Sequence, residues 1–301
     1  MGPVVLAFPG QGSLAAGAGT AWTGHASFAV VGAVGSASGV DVVELLTTAG
    51  DDELVSTENA QIATFALSLC VLDATGLAPV ATLALGHSLG EYTALVAAGV
   101  LARDPGSRLV AARGAAMREA AEALPGGLVA LLGGDLEKAE TACATIDGLY
   151  LANLNGPAQV VVGGSPAALE ELGARAKELG FRRAIPLKVG GAFHTPLMAP
   201  AARAFEPALR SASFSRGHAT VLANVDGEPH EDPADWVPLL LRQLTEPVRF
   251  DACVRALPVG AAVVECGAGS VLKGLIARIR EDLDVRSIST PEDVSLLEGL
   301  R

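Results

Sequence analysis

One serine lies in a setting that could make it a nucleophile. Ser88 is the centre of GHSLG at residues 86–90, which matches the pattern G-x-S-x-G. Apolar runs at residues 81–85 and 89–98 flank it, so we predict a buried strand, a sharp turn and a helix. Such a turn lifts the hydroxyl clear of the sheet and leaves the Leu89 N–H free to face a developing negative charge. The alternative is an ordinary glycine-rich turn in which Ser88 only caps a helix.

A serine hydroxyl is a weak nucleophile until a base takes its proton, so a histidine is expected near it in the fold. The sequence contains five histidines: His25, His87, His194, His218 and His230. His87 adjoins Ser88, and its side chain is expected to point away from the hydroxyl. His194 lies in a glycine-rich loop, residues 190–196, directly after a segment that we predict to be an inserted subdomain. Such junction loops often line clefts, so His194 is the preferred base, although residue types alone leave the other histidines open.

The elements that must position these residues alternate between strands and helices. Buried strands are predicted at residues 3–8, 81–85, 220–224 and 261–266, and helices at residues 59–74, 89–98, 104–123 and 236–244. Histidines 218 and 230 fall in segments that are typical of surface turns. The alternation favours an α/β fold with a mostly parallel sheet.

Residues 125–189 follow a different pattern. Strands are predicted at residues 128–132, 149–153, 159–163 and 183–187, with helices at residues 136–146 and 166–179. The order strand–helix–strand–strand–helix–strand is the signature of a ferredoxin-like unit. Because the larger pattern resumes afterwards, we predict a large subdomain of residues 1–124 and 190–301 with a small subdomain, residues 125–189, inserted in it.

Charge, cysteine usage and hydropathy disfavour several classes of function. The 301 residues carry a formal net charge of -12, which argues against nonspecific binding to nucleic acid or to an anionic membrane. No apolar run reaches the roughly 20 residues that span a bilayer. The four cysteines form no C-x-x-C pair and fit no zinc site or disulfide framework, so no metal is predicted. The N-terminus lacks a basic segment and a cleavage site, and we expect a cytoplasmic protein.

Four motifs occur together in one order: FPGQGS at residues 8–13, GHSLGE at residues 86–91, Arg113-Gly114, and GAFH at residues 191–194. In order and spacing they resemble malonyl-CoA:acyl carrier protein transacylases and the acyltransferase domains of polyketide synthases. Further similar stretches are ANLN at residues 152–155, NVDG at residues 224–227, Gln243-Leu244, and ECG at residues 265–267. The resemblance runs from Phe8 to about Leu275, nearly the whole chain.

The resemblance implies an α/β-hydrolase-like core and a catalytic role for several residues. Ser88 would be the nucleophile that carries the acyl group, and His194 its general base and later its general acid. In this family a backbone carbonyl, here in the region of Gln243, orients the histidine in place of an aspartate. Gln11 and Leu89 would donate backbone N–H groups to the oxyanion.

On the substrate side, the resemblance implies that Arg113 binds the free carboxylate of a malonyl group, for which a planar two-pronged donor is suited. The further substrate-contacting residues that it implies are Phe193, Asn155, Gln61 and His87. A bulky Phe193 would crowd a 2-methyl branch, an effect of about 1–3 kcal/mol that favours malonyl over methylmalonyl. No cofactor is implied, because coenzyme A enters as a thioester substrate.

The implied partner is a separate acyl carrier protein with a phosphopantetheine arm, and we expect the enzyme to be a monomer. Carrier proteins are typically acidic, and a basic rim around the cleft could meet them. The candidate residues are Arg175, Lys177, Arg182, Arg183, Lys188, Arg203 and Arg210. Ordinary solvated charge is the alternative explanation for these residues.

The sequence departs from the family pattern at two places. LAAGAG at residues 14–19 replaces a Gln followed by Gly-Met-Gly, and Gln61-Ile62-Ala63 replaces the commoner Gln-Pro-Ala. Both positions shape the cleft wall, so an unusual acyl group or carrier stays open.

Other interpretations of the same residues remain. A serine hydrolase of the α/β-hydrolase type shares the turn around Ser88, but it places its acid and histidine late in the chain and gives Arg113 no role. A non-catalytic protein with a degenerate acyltransferase fold is disfavoured by the intact Ser88, His194, Gln11 and Arg113. A third variant keeps the fold but hydrolyses acyl groups on the carrier or transfers an unusual extender unit.

Overall fold

The computed structural model describes residues 2–157 and 159–300, which form two β-sheets with helices around them. The strands are β1 (Val4–Phe8), β2 (Ala81–Gly86), β3 (Gly127–Leu132), β4 (Leu149–Leu154), β5 (Gln159–Gly164), β6 (Arg183–Pro186), β7 (Thr220–Leu222), β8 (Pro229–His230), β9 (Ala262–Cys266) and β10 (Asp284–Ile288). The helices are α1 (Ala29–Ser38), α2 (Val42–Thr47), α3 (Asp51–Leu54), α4 (Thr57–Thr75), α5 (Gly90–Ala97), α6 (Arg103–Ala123), α7 (Leu136–Thr145), α8 (Pro166–Arg175), α9 (Ala199–Ser211), α10 (Trp236–Thr245), α11 (Phe250–Arg255) and α12 (Val271–Ile279).

The central sheet has six strands in the order β10-β9-β1-β2-β7-β8. Neighbouring strands from β10 to β7 pair in parallel, and β8 is antiparallel to β7. The register of β1 and β2 pairs Phe8 with Gly86 at their C-terminal ends. Because the carboxyl ends of parallel strands meet at one edge of a sheet, the loops after β1, β2 and β7 converge there. Those loops carry Gln11, Ser88 and Asn224.

Helices cover both faces of the central sheet. Successive side chains of a strand point to opposite faces, so β1 contributes Val5 and Ala7 to one core and Leu6 and Phe8 to another. The first core also contains residues of α11 and α12, and the second contains residues of α1, α4, α5 and α6. Helix α4 is buried on nearly every side, which explains why its apolar residues do not form a single stripe.

The second sheet has four strands in the order β4-β5-β3-β6, and each neighbouring pair is antiparallel. Val129 and Leu131 of β3 pack with residues of α7 and α8 on one face of this sheet. Leu128 and Ala130 point to the other face, into the core shared with the central sheet. The predicted α/β class is therefore confirmed, with a mostly parallel central sheet and a separate antiparallel one.

Some elements differ from the sequence-based expectation. The region before residue 57 contains α1, α2 and α3, for which no helix was predicted. Helix α1 includes Gly32 and Gly35, which lower helix propensity and blur its apolar period. Helix α8 ends at Arg175 instead of residue 179, and the chain then turns through Gly180, whose φ of +84° is incompatible with a right-handed helix.

Candidate active site

The turn between β2 and α5 holds Ser88 in a strained backbone conformation. Its φ is +54°, in the left-handed region that costs a residue with a side chain about 1–2 kcal/mol. The flanking glycines provide the space: a Cβ on Gly86 would lie 2.0 Å from the Gly90 carbonyl carbon, and one on Gly90 would lie 2.1 Å from the Phe8 carbonyl oxygen. The Ser88 N–H donates to Asn224 Oδ1 at 2.7 Å. The predicted strand, turn and helix around the serine are thus present, and the loop after β7 supports the turn.

His194 lies within hydrogen-bond distance of the serine. Its Nε2 is 2.7 Å from Ser88 Oγ, and its Nδ1 is 2.6 Å from the main-chain oxygen of Gln243. A carbonyl oxygen only accepts, so Nδ1 carries the proton and Nε2 is the free acceptor. Burial, reinforced by the charge of Arg113, lowers the pKa of His194 to about 3. The imidazole is therefore neutral at pH 7 and can take the serine proton.

The backbone of His194 is strained as well. Its φ is +62°, and in the described part of the chain only His194 and Ser88 combine a side chain with a positive φ. Such strain persists only where the surrounding structure imposes it, and it concentrates at functional sites. Ser88 and His194 are therefore both held in place by the loops that carry them.

Arg113 on α6 contacts the Ser88 hydroxyl from the buried side of the site. It is 1% exposed. Its Nη1 donates to Gln61 Oε1 at 2.5 Å, and its Nη2 donates to Gln243 Oε1 at 2.8 Å and to Ser88 Oγ at 3.2 Å. The guanidinium carbon lies 5.4 Å from the centre of the Tyr92 ring. Burial lowers the pKa of Arg113, but a guanidinium stays protonated in proteins, so a positive charge lies beside the serine hydroxyl.

Two buried residues without a predicted role join these groups. Asn224 Nδ2 donates to the Gly86 carbonyl at 2.7 Å, in addition to accepting the Ser88 N–H. The Glu91 carboxylate accepts the Asn224 N–H at 3.0 Å and a hydrogen bond from Gln243 Nε2. Gln243 Nε2 also donates to the Ser88 carbonyl at 2.9 Å. The available sequence signal for Glu91 was an acidic residue inside an otherwise apolar helix.

A cavity of about 220 Å³ lies between the central sheet edge and the antiparallel sheet, and both Ser88 and His194 line it. Four other residues with predicted roles also line it: Gln11, His87, Asn155 and Phe193. The His87 ring points toward Asn155, with Nε2 2.9 Å from Oδ1, as expected for a side chain directed away from the hydroxyl. The remaining predicted residues, Leu89, Gln61, Arg113 and Gln243, are buried beside this cavity.

The two predicted oxyanion donors come from converging loops. Gln11 follows β1, and Leu89 directly precedes α5. The pairing of Phe8 with Gly86 brings these segments to one sheet edge. Neither N–H donates a hydrogen bond to any of the residues that the structure describes. Both are therefore free to bind a negative charge, and their role stays a prediction.

The other histidines are bound elsewhere. His25 contacts Ser27, His218 contacts the Ala78 carbonyl oxygen, and His230 contacts Asp226 and Asp235. His230 is half-buried in β8 between these two carboxylates, so the expectation of a surface turn was wrong for this residue. Within residues 2–157 and 159–300, no group of His, Cys, Asp and Glu is arranged to hold a metal ion. None of the helices in these ranges has the length and apolar character to cross a membrane.

The chain is similar to known proteins over nearly its whole length. Residues 5–290 match the family model described as acyl transferase domain. Malonyl CoA-acyl carrier protein transacylase of Bacillus subtilis (strain 168) is 39% identical over 254 residues, 81% of this chain and 80% of that protein. A protein of the same name from Mycobacterium bovis is 34% identical over 99% of this chain and 100% of its own length.

Solved structures are similar to the same extent. The acyl-carrier-protein S-malonyltransferase of Bartonella henselae has a TM-score of 0.92 at 32% identity, over 100% of this chain and 99% of that one. A malonyl transacylase in complex with the acyl carrier protein of a type II polyketide synthase has a TM-score of 0.93 at 31% identity, over 99% of this chain and 100% of that one.

Proposed function

The chain belongs to the acyl transferase domain family, and from this membership we propose that it moves a malonyl group from coenzyme A to an acyl carrier protein through an ester on Ser88. One observation carries the proposal: a neutral imidazole and a buried guanidinium both lie within hydrogen-bond distance of one hydroxyl oxygen. A base at that oxygen suits ester formation, and a fixed positive charge suits an acyl group with a free carboxylate.

In the first half of the reaction, Ser88 Oγ attacks the thioester carbonyl carbon of malonyl-CoA. The hydroxyl proton moves to His194 Nε2, and the carbonyl oxygen becomes an oxyanion that the N–H groups of Gln11 and Leu89 bind. The C–S bond then breaks, His194 returns the proton to the departing thiolate, and coenzyme A leaves as a thiol. The malonyl group stays on the serine as an ester.

The second half repeats these steps in reverse with another thiol. The pantetheine thiol of the carrier protein gives its proton to His194 and attacks the ester carbonyl, and Ser88 leaves with that proton. One thioester replaces another, so the reaction is close to thermoneutral and needs no cofactor. The enzyme provides a covalent relay between the two thiols.

The Gln243 carbonyl takes the place that a carboxylate occupies in serine hydrolases. A carbonyl fixes the tautomer of His194 but adds no negative charge to stabilise an imidazolium. The buried positive charge of Arg113 also disfavours protonation of this ring. The neutral form of the histidine is therefore favoured over the imidazolium, which suits a thiolate leaving group that needs little help.

Arg113 selects the acyl group. The malonyl carboxylate is one methylene beyond the ester carbonyl, so it stays within reach of a guanidinium that is 3.2 Å from Oγ. Burial of a carboxylate without a partner costs roughly several kcal/mol, and a charge-assisted hydrogen bond from Arg113 would offset that cost. Phe193 is buried at the cavity wall, where it would crowd a methyl branch on the acyl group.

The finer architecture is part of the proposal. We infer that residues 125–189 form a ferredoxin-like subdomain inserted into an α/β-hydrolase-like one of residues 1–124 and 190–301. The strand order β4-β5-β3-β6 and the packing of α7 and α8 on one face support the first part. The sharp turn that holds Ser88, directly after strand β2 of the parallel sheet, supports the α/β-hydrolase-like part.

The carrier protein would approach through the basic residues at the edge of the antiparallel sheet. Arg182, Arg183 and Lys188 are exposed there, and Lys188 is next to the loop that contains Gln11 in a second cavity. Of the other candidates, Arg175 pairs with Glu171 and Arg210 with Glu206, so their charges are already compensated. Lys177 and Arg203 are exposed, like Arg182 and Arg183, and remain candidates. The monomeric state and the cytoplasmic location stay predictions from the sequence.

Intact-mass spectrometry tests the proposal. The protein is mixed with malonyl-CoA, methylmalonyl-CoA or acetyl-CoA, and we expect a malonyl adduct on the wild type that Ser88→Ala abolishes. Ser165→Ala is the matched control, because this serine only caps α8 and should leave the adduct unchanged. Release of free malonate without transfer to a thiol would favour a hydrolase, and the absence of any adduct would favour a non-catalytic protein.

A further inference from the structure

Glu91 is a buried carboxylate that the proposed reaction does not use. It lies on α5, is 1% exposed, and faces the site from beneath Ser88. One carboxylate oxygen accepts the Asn224 N–H, and the other accepts Gln243 Nε2. Both partners are donors, so the carboxylate is matched to them only in its ionised form, which accepts and does not donate.

The side-chain amide of Gln243 is the link between this carboxylate and the acyl site. Its Nε2 faces two acceptors, the Glu91 carboxylate and the Ser88 carbonyl, and its Oε1 faces the donor Arg113. A guanidinium has no acceptor and an ionised carboxylate has no donor, so only one orientation of the amide satisfies every neighbour. Loss of the carboxylate would remove one of the three neighbours that hold the Gln243 amide with its oxygen toward Arg113.

We propose that Glu91 is a positioning residue for acyl selection, which fixes the orientation of Gln243 and through it the guanidinium of Arg113. The inference rests on the proposed malonyl transfer and adds the residue that sets its specificity. Glu91 also reaches the serine backbone through Asn224, whose Oδ1 accepts the Ser88 N–H. A single buried carboxylate therefore joins the strained turn to the group that recognises the acyl carboxylate.

The ionisation of Glu91 should be visible in the acyl preference. Burial raises the pKa of Glu91 to about 7, with Asp226 raising it further and Arg113 and the two hydrogen bonds opposing the shift. The other titratable neighbours, Tyr92 and Cys253, have raised pKa values through burial and stay neutral. Below pH 7 the protonated carboxyl would present an O–H donor to one of its two N–H neighbours, the Asn224 N–H or Gln243 Nε2, and that contact would weaken. The malonyl preference should therefore rise as the pH increases from 6 to 8.

The test compares the initial rates of malonyl and acetyl loading, followed by intact mass, in the wild type and in Glu91→Gln. A glutamine at position 91 would present one oxygen acceptor and one amide donor to the Asn224 N–H and Gln243 Nε2, which are both donors. One of these two contacts must therefore fail. We expect the malonyl-to-acetyl rate ratio to fall by about tenfold, the value of one charge-assisted hydrogen bond, and its rise between pH 6 and 8 to disappear. An unchanged ratio with an unchanged pH profile would overturn the inference.

Glu265→Gln is the matched control. Glu265 is also a buried carboxylate, and it accepts hydrogen bonds from the main-chain N–H groups of Leu272 and Lys273 at 2.9 Å each. It should lower the melting temperature but not the ratio, and a similar loss of ratio in this control would also overturn the inference.

A double-mutant cycle tests the route through Gln243. If Glu91→Gln loses too much stability to be measured, Gln243→Met alone carries the test, because it should abolish the rise of the malonyl-to-acetyl ratio between pH 6 and 8. Gln243→Met removes the acceptor for Arg113 but keeps the main-chain oxygen that orients His194. If Glu91 acts through Gln243, the double variant shifts the ratio no further than Gln243→Met alone, whereas additive effects contradict that route. Failure of the wild type to load malonyl would instead refute the proposed function, so the two failures are distinguishable.

Discussion

Replacement of Arg113 tests the acyl specificity most sharply, because Arg113 contacts the Ser88 hydroxyl that we propose to carry the acyl group. Arg113→Ala removes the guanidinium, and Arg113→Lys keeps a positive charge but not the planar fork. A lysine cannot reach Gln61 and Gln243 at once, as the two guanidinium nitrogens do at 2.5 and 2.8 Å. We therefore expect an intermediate defect for the lysine variant.

The size of the effect follows from the buried charge pair. A hydrogen bond to a charged group is worth about 1.5–3 kcal/mol, and about 1.4 kcal/mol corresponds to a factor of ten in rate. Malonyl loading should fall by roughly 10- to 150-fold for each bond that the acyl carboxylate makes to Arg113. Acetyl has no carboxylate, so its loading should change by less than about threefold, within the context dependence of single contacts.

The assay measures kcat/KM for malonyl-CoA and acetyl-CoA on each variant, with the melting temperature as the measure of folding. The stability control is needed because Arg113→Ala leaves the oxygens of Gln61 and Gln243 buried without their donor, at about 1–3 kcal/mol each. An equal loss for both acyl-CoAs in a variant that melts normally would refute the assignment of Arg113 to the acyl carboxylate.

Three other changes have defined outcomes. Asn224→Ala removes the acceptor of the Ser88 N–H and lets the strained turn relax. We expect kcat to fall about tenfold or more with little change in KM for malonyl-CoA, and a selective rise in KM would contradict this. Phe193→Ala widens the cavity wall and should raise methylmalonyl loading relative to malonyl by about tenfold, whereas an unchanged ratio would place the steric barrier elsewhere. Charge reversal at Arg182 and Arg183 should raise KM for the carrier protein about tenfold and spare acyl-CoA, and equal effects on both substrates would contradict the docking surface.

The sequence was sufficient to predict the strand, turn and helix around Ser88 because the signals for them are local. A G-x-S-x-G pattern between an apolar strand and an apolar helix predicts a tight turn, and the glycines at 86 and 90 are required by close backbone contacts. His194 was harder to identify, since its approach to Ser88 depends on how a loop 106 residues away folds back. Its place in the junction loop made it the preferred base, and the family resemblance then separated it from the other histidines.

The supporting network was not predictable residue by residue. Glu91 and Asn224 were visible as members of motifs, but their contacts join α5 to the loop after β7, and no periodicity encodes such a pairing. The orientation of Gln243 likewise depends on three neighbours from different parts of the chain. Side-chain networks of this kind depend on tertiary packing.

The fold shows the same division between local and long-range information. The strand–helix order of residues 127–186 was predictable because most of its elements have a clear apolar pattern. The helices α1 to α3 were not predictable. Helix α1 contains glycines and serines that blur its apolar period, and α2 and α3, with six and four residues, are too short to show one. Such short helices are stabilised mainly by tertiary packing.

The covalent relay is tested most directly by a chase experiment. The protein is loaded with malonyl-CoA, freed of coenzyme A, digested to locate the adduct, and in parallel mixed with an acyl carrier protein that bears its pantetheine thiol. We predict a malonyl ester on Ser88 that disappears as the malonyl mass arrives on the carrier protein. An adduct on another residue, or malonate released to water while the carrier stays unmodified, would contradict the account.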